Sequence, residues 1–181
     1  MNILTKRPLA RLALVFALAT VVAACQTNGG VNPGDKAAES AQPEFEDFIV
    51  PGDVLPIESV IDVNGKTVDL ADPDKRKLVI LFATWCKDSN RALKALNASE
   101  LLNDDAIVVI AIAREESDET VIAWRDENGI ETPLAADPDR GIYKQFATAG
   151  IPRFIMVGTD NRVIKMNLAE TEDPLSLIEW Q

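Results

Sequence analysis

Two stretches of the chain, residues 78–83 and 107–113, are apolar without a break. A run of that length without polar alternation suits a strand covered on both faces. Residues 153–157 and 162–167 flank a turn at 158–161 and predict an antiparallel hairpin. A second hairpin is predicted earlier, where residues 58–63 and 66–70 surround Asn64-Gly65. Between the strands the apolar period changes. Ala92, Leu93, Leu96, Leu101 and Leu102 predict a helix over residues 87–103, with a break signal at Asn97-Ala98-Ser99. Ser117 caps another, with Asp118 and Glu119 in its first turn and Gly129 at its end. Asp137-Pro138 predicts a third helix, with Ile142 and Phe146 on its inner face, and residues 172–180 a short last one. Trp124, Tyr143 and Phe146 are expected in the core. Strands alternating with helices and closed by a hairpin predict an α/β domain with a mixed sheet.

The N-terminus follows a different pattern. Residues 1–24 hold Lys6, Arg7 and Arg11, no acid, and an apolar stretch from Leu12 broken only by Thr20. Basic residues before a short apolar run read as a signal peptide, too short to span a membrane comfortably. The run ends Val22-Ala23-Ala24-Cys25, which resembles a bacterial lipobox. That resemblance implies cleavage before Cys25, acylation of Cys25 and a lipid anchor. In such lipoproteins Gln26 after the Cys leans towards the outer rather than the inner membrane. Residues 25–44 are polar and rich in Gly and Pro, and read as a flexible tether. The folded domain is expected over residues 45–181.

Composition narrows the chemistry. The 181 residues include two Cys and no His, with 18 Lys+Arg against 29 Asp+Glu. Without His, Ser-His-Asp hydrolysis, Cys-His proteolysis and His-ligated metal are excluded. No metal or other cofactor is expected. A net charge of −11 argues against nucleic-acid partners. If Cys25 carries lipid, Cys86 is the one thiol left for chemistry. It sits between a predicted buried strand and a predicted helix, where free N–H groups and the helix dipole favour a thiolate. Lys87 acts in the same direction. Arg114, Glu115 and Glu116 follow the second apolar strand, at the end where α/β sheets bind ligands. Glu115 or Glu116 is a candidate for moving protons at Cys86.

Leu81-Phe82-Ala83-Thr84-Trp85-Cys86-Lys87-Asp88-Ser89 resembles the active-site segment of thioredoxin-like proteins, most closely the membrane-anchored TlpA/ResA-like thiol–disulfide oxidoreductases. Ala149-Gly150-Ile151-Pro152-Arg153-Phe154 resembles their cis-proline loop. The resemblance implies a thioredoxin-like fold with the first hairpin as an N-terminal extension. It also implies a reactive Cys86 walled by Trp85, Ile151 and Pro152. Arg153, where many relatives carry Thr, is a candidate for tuning the thiol or binding an acidic group. Ser89 stands where the family has its second Cys, so it cannot resolve a mixed disulfide internally; its hydroxyl is expected to donate to the Cys86 sulfur. The expected function is thiol–disulfide exchange through a mixed disulfide at Cys86, completed by an outside thiol. Its expected partners are periplasmic protein thiols or disulfides, or small thiols. Two alternatives remain open: a non-catalytic peptide-binding module, and a one-Cys peroxide reductase. Peroxiredoxins place Thr three residues before the reactive Cys, whereas here Thr84 is two before.

Overall fold

The computed structural model describes residues 45–181. The expected signal peptide at 1–24, the expected lipidation site at Cys25 and the expected tether at 25–44 lie outside the described residues. Both continuous apolar runs are central strands. β3 (Arg76–Phe82) and β4 (Ile107–Arg114) run parallel, pairing Phe82 with Ala113. The predicted hairpin forms β6 (Arg153–Val157) and β7 (Val163–Leu168), and β6 lies antiparallel to β3. β5 (Leu134–Asp137) joins β4 in parallel, giving a five-stranded sheet of order β5-β4-β3-β6-β7. The Asn64-Gly65 turn closes a separate two-stranded sheet of β1 (Ser59–Ile61) and β2 (Thr67–Asp69). This is a thioredoxin-like fold with the expected N-terminal hairpin.

Alternation along β3 separates two cores. Leu78, Ile80 and Phe82 face α1 (Lys87–Asn97) and α2 (Asp118–Asn128), packing with Ala92, Leu93, Leu96, Val121 and Trp124. Val79 and Leu81 face the other way, onto Ile49, Leu55, Tyr143 and Phe146. Both α-helices therefore cover one face, while the N-terminal segment and a short turn cover the other.

Three elements differ from the sequence-based expectation. The helix from Asp137 does not form. Leu134–Asp137 is drawn into the sheet by pairing with β4, and the Asp137 carboxylate accepts from the Ile142 and Tyr143 amides at 3.0 and 2.7 Å. Those bonds close a turn through Arg140, whose φ of 59° breaks any helix, and leave one 3-10 turn at Tyr143–Gln145. The first helix stops at Asn97, and Ser99 caps a 3-10 turn over Glu100–Asn103. The last helix reduces to a 3-10 turn at Pro174–Leu177.

The caps of α2 match the reading. The Ser117 hydroxyl accepts from the Thr120 amide at 3.4 Å, and Gly129 ends the helix at φ 61°, ψ 41°. A Cβ at Gly129 would meet nothing within 4 Å, so Gly129→Ala carries only the left-handed backbone cost. It should lower unfolding free energy by about 1 kcal/mol, read as a shifted urea midpoint at constant slope. An unchanged midpoint would show that the cap contributes nothing.

Candidate active site at the start of α1

Cys86 is the N-cap of α1, in extended conformation at the end of the loop that follows β3. Its sulfur accepts from the Ser89 backbone N–H at 3.5 Å. The thiol points at the Ile151 carbonyl oxygen, 3.8 Å away. The Ile151-Pro152 bond is cis. The first helical turn and the proline loop therefore meet at one partly buried sulfur. Trp85 beside it is 67% exposed, a free apolar surface rather than a core ring. Lys87 is exposed. Asp88 is ion-paired with Arg91 at 2.6 Å.

The loop before the sulfur is held from both sides. The buried Glu116 carboxylate accepts from the Thr84 amide at 2.9 Å and from the Thr84 hydroxyl. From the helix side, the Asn90 carboxamide donates to the Thr84 and Cys86 carbonyls at 2.6 and 2.8 Å. Its oxygen accepts from the Trp124 indole N–H at 3.0 Å. The Asn90 side chain thereby ties the loop before the sulfur to α2.

The proline loop has its own supports. Arg153 is 2% exposed, and its guanidinium donates to the carbonyls of Ala149 (2.6 Å) and Gly150 (3.0 Å). The same group pairs with Asp47 at 2.7 Å. The Tyr143 hydroxyl donates to the Gly150 carbonyl at 2.7 Å. Gly150 adopts φ 91°, and a Cβ there would lie 3.1–3.2 Å from Leu168, Arg153 and Phe45. A side chain there would be strained by the backbone and would press on all three neighbours.

Several expected roles are redistributed. Ser89 is fully buried, and its hydroxyl accepts from the Ala83 amide at 3.3 Å; its main-chain N–H reaches the sulfur instead. Arg153 spends its donors on the loop and on Asp47, so it positions the loop rather than offering a free charge to the thiol. Glu115 is turned to Arg114 and Arg140. The hydrogen bond from Arg114 and the charges of both arginines hold its carboxyl below the usual range, unsuited to donating a proton near neutral pH. Its neighbour Glu116 contacts the site loop instead. Asn90, Tyr143 and Asp47 are site supports that the sequence reading missed. Asn90 follows Ser89 on the first turn of α1, which was the one available signal.

Residues 36–178 match the Redoxin family. ResA of Bacillus anthracis, named a thiol-disulfide oxidoreductase, is 24% identical over 61% of this chain, and the match spans 65% of the length of that relative. A candidate peroxiredoxin of Mycobacterium tuberculosis is 27% identical over 56% of this chain and 66% of its own length. A DsbF homologue from Corynebacterium diphtheriae superposes with a TM-score of 0.56 over 70% of this chain and 88% of that one, at 20% identity, which bears on fold alone. With the site geometry and the 36–178 match together, the chain belongs to the redoxin family, as a TlpA/ResA-like member of the thioredoxin superfamily.

Proposed function

We propose that this redoxin exchanges thiols and disulfides through the single sulfur of Cys86, on a lipoprotein anchored at Cys25 and facing the periplasm. The observation that carries the reading is the placement of the Cys86 sulfur. It is partly exposed, capped by the Ser89 N–H at 3.5 Å, and set against the carbonyl of a cis-proline loop. In the proposed reaction the Cys86 thiolate attacks one sulfur of a disulfide, a mixed disulfide forms, and the other sulfur leaves as a thiolate. With Ser at position 89, a thiol from outside must attack the mixed disulfide and release Cys86. The name of the ResA relative supports the reaction class. The apolar N-terminus and Val22-Ala23-Ala24-Cys25 support the envelope location, and Gln26 favours the outer membrane. Substrates are periplasmic protein thiols and disulfides or small thiols.

The test is trapping. Cells expressing the full chain are quenched in acid and alkylated, and non-reducing gels are probed for adducts. Adducts that vanish in Cys86→Ala are expected, and they should accumulate because no second thiol resolves them. An adduct pattern that is empty in wild type, or unchanged in Cys86→Ala, overturns the reading. The exposed Trp85 favours one competing reading, a groove that binds peptide without turnover. In that case Cys86→Ala retains every partner in a pull-down. For peroxide reduction, the Thr84 hydroxyl is already committed to Glu116.

A further inference from the structure

Two arginines stack on one buried tyrosine ring near the thiol. The guanidinium carbons of Arg114 and Arg140 lie 4.7 and 5.1 Å from the centroid of Tyr143. The Glu115 carboxylate fills the space between them. One of its oxygens accepts from Arg114 Nη2 and Nε at 2.7 and 3.2 Å, and the other lies 3.5 Å from Arg140 Nη1. Arg140 is anchored behind, donating to the Thr148 carbonyl at 2.7 Å. Its Nε is buried and has no hydrogen-bond partner. Glu115 and Arg140 both sit at φ near 60°, a conformation that non-glycine residues adopt at a cost. The Glu115 side chain is 45% exposed, free to leave for solvent.

We infer that Arg114, Arg140 and Tyr143 form a subsite for the carboxylate of a low-molecular-mass thiol or its disulfide, with Glu115 as an internal stand-in. The inference rests on the thiol–disulfide reading and names the class of small thiol that serves Cys86. Guanidinium forks match a carboxylate in two-point geometry, and neutral thiols gain nothing from them. A chain of net charge −11 repels anions at long range, so an acidic thiol needs such a contact to be held. The subsite and the sulfur lie at the same end of the sheet, since Phe82 at the end of β3 pairs with Ala113 and Arg114 at the end of β4 pairs with Asp137. Glu116, next to Glu115, holds Thr84, two residues before Cys86. On the other side, the Tyr143 hydroxyl holds the Gly150 carbonyl, and the next carbonyl, of Ile151, faces the sulfur at 3.8 Å. In the exchange, the Cys86 thiolate attacks one sulfur of the small disulfide and expels the carboxylate-bearing thiolate. A partner protein thiolate then attacks the small-thiol sulfur of that mixed disulfide, takes the small thiol as its own mixed disulfide, and releases the Cys86 thiolate.

The test compares rates of Cys86 in the full chain with dithiodipropionate, which carries two carboxylates, and with hydroxyethyl disulfide, which carries none. The readout is the ratio of the two rates, which cancels general effects on the thiol. Arg140→Gln should lower the ratio by about fivefold, the scale of a partly exposed charge pair. Glu115→Gln should raise it, because the internal competitor loses its charge. Arg140→Lys should fall between wild type and Arg140→Gln, since it keeps charge without the fork. If Arg140→Gln does not fold, the other two variants carry the test. A ratio that stays the same in every folded variant overturns the subsite. If Cys86 reacts with neither disulfide, the thiol-exchange reading fails by itself. Glutarate is then titrated against the arginine Nε–H signals by NMR. Saturable shifts at Arg114 and Arg140 support the subsite, and their absence overturns it.

Discussion

Ser89→Cys should turn the site into a dithiol pair and speed its turnover. Position 89 is on the first turn of α1, with its main-chain N–H 3.5 Å from the Cys86 sulfur. Cα atoms three residues apart on a helix lie about 5 Å from each other, within the roughly 4.4–6.8 Å between Cα atoms that a disulfide spans. The exchange costs little in packing, because a thiol takes the place of a slightly smaller buried hydroxyl. The Ala83 amide, which now donates to the Ser89 hydroxyl at 3.3 Å, would keep only a weak sulfur acceptor. That costs about 1 kcal/mol, too little to unfold the domain. After mild oxidation, peptide mapping should show a disulfide between Cys86 and the introduced thiol. With dithiothreitol as reductant, turnover of a model protein disulfide should rise at least ~10-fold over wild type, since an internal thiol attacks at high effective concentration. Two free thiols after oxidation would mean that the backbone geometry does not suit a bridge. A bridge that forms without added turnover would mean that the groove does not present substrates to Cys86.

That prediction depends on a feature readable in the sequence, Cys86 followed by Ser89 at a strand-to-helix junction. Local signals of this kind translated well. The unbroken apolar runs became β3 and β4, Asn64-Gly65 became a hairpin turn, and Ser117 and Gly129 became the caps of α2. Features set by pairing across the sheet did not. Leu134–Asp137 has four residues between Pro133 and Pro138, with no period of its own, and is a strand only because β4 offers an open edge. Asp137 before Pro138 has the local chemistry of a helix cap. Its carboxylate instead reaches the amides of Ile142 and Tyr143 across a left-handed Arg140. The site divides in the same way. Cys86, Ile151 and Pro152 were legible as motifs, and the Cys86 sulfur lies 3.8 Å from the Ile151 carbonyl oxygen. The partners of Glu116, Asn90 and Arg153 were not, because each reaches a residue brought close only by the fold.

Arg153→Met should destabilise the domain by about 2 kcal/mol and loosen the loop that faces Cys86. The guanidinium is buried and donates to the carbonyls of Ala149 and Gly150. Methionine fills similar volume without donors. The Gly150 carbonyl keeps the Tyr143 hydroxyl at 2.7 Å, whereas the Ala149 carbonyl loses its guanidinium donors. One such lost acceptor costs about 1–3 kcal/mol. The ion pair with Asp47 adds little, because that carboxylate is 44% exposed and water screens it. Release of the guanidinium from burial offsets part of the loss. Asp47→Asn removes only the ion pair and should cost below about 1 kcal/mol by the same urea measurement. Stability and reactivity together separate the two roles open to Arg153. If it positions the loop, Arg153→Met lowers both the urea midpoint and the alkylation rate of Cys86, because the Ile151 carbonyl is no longer fixed 3.8 Å from the sulfur. If it acted on the thiol by charge alone, alkylation would fall at an unchanged midpoint. The geometry favours the first result: three hydrogen bonds join the guanidinium to the carbonyls of Ala149 and Gly150, and its ion pair goes to Asp47.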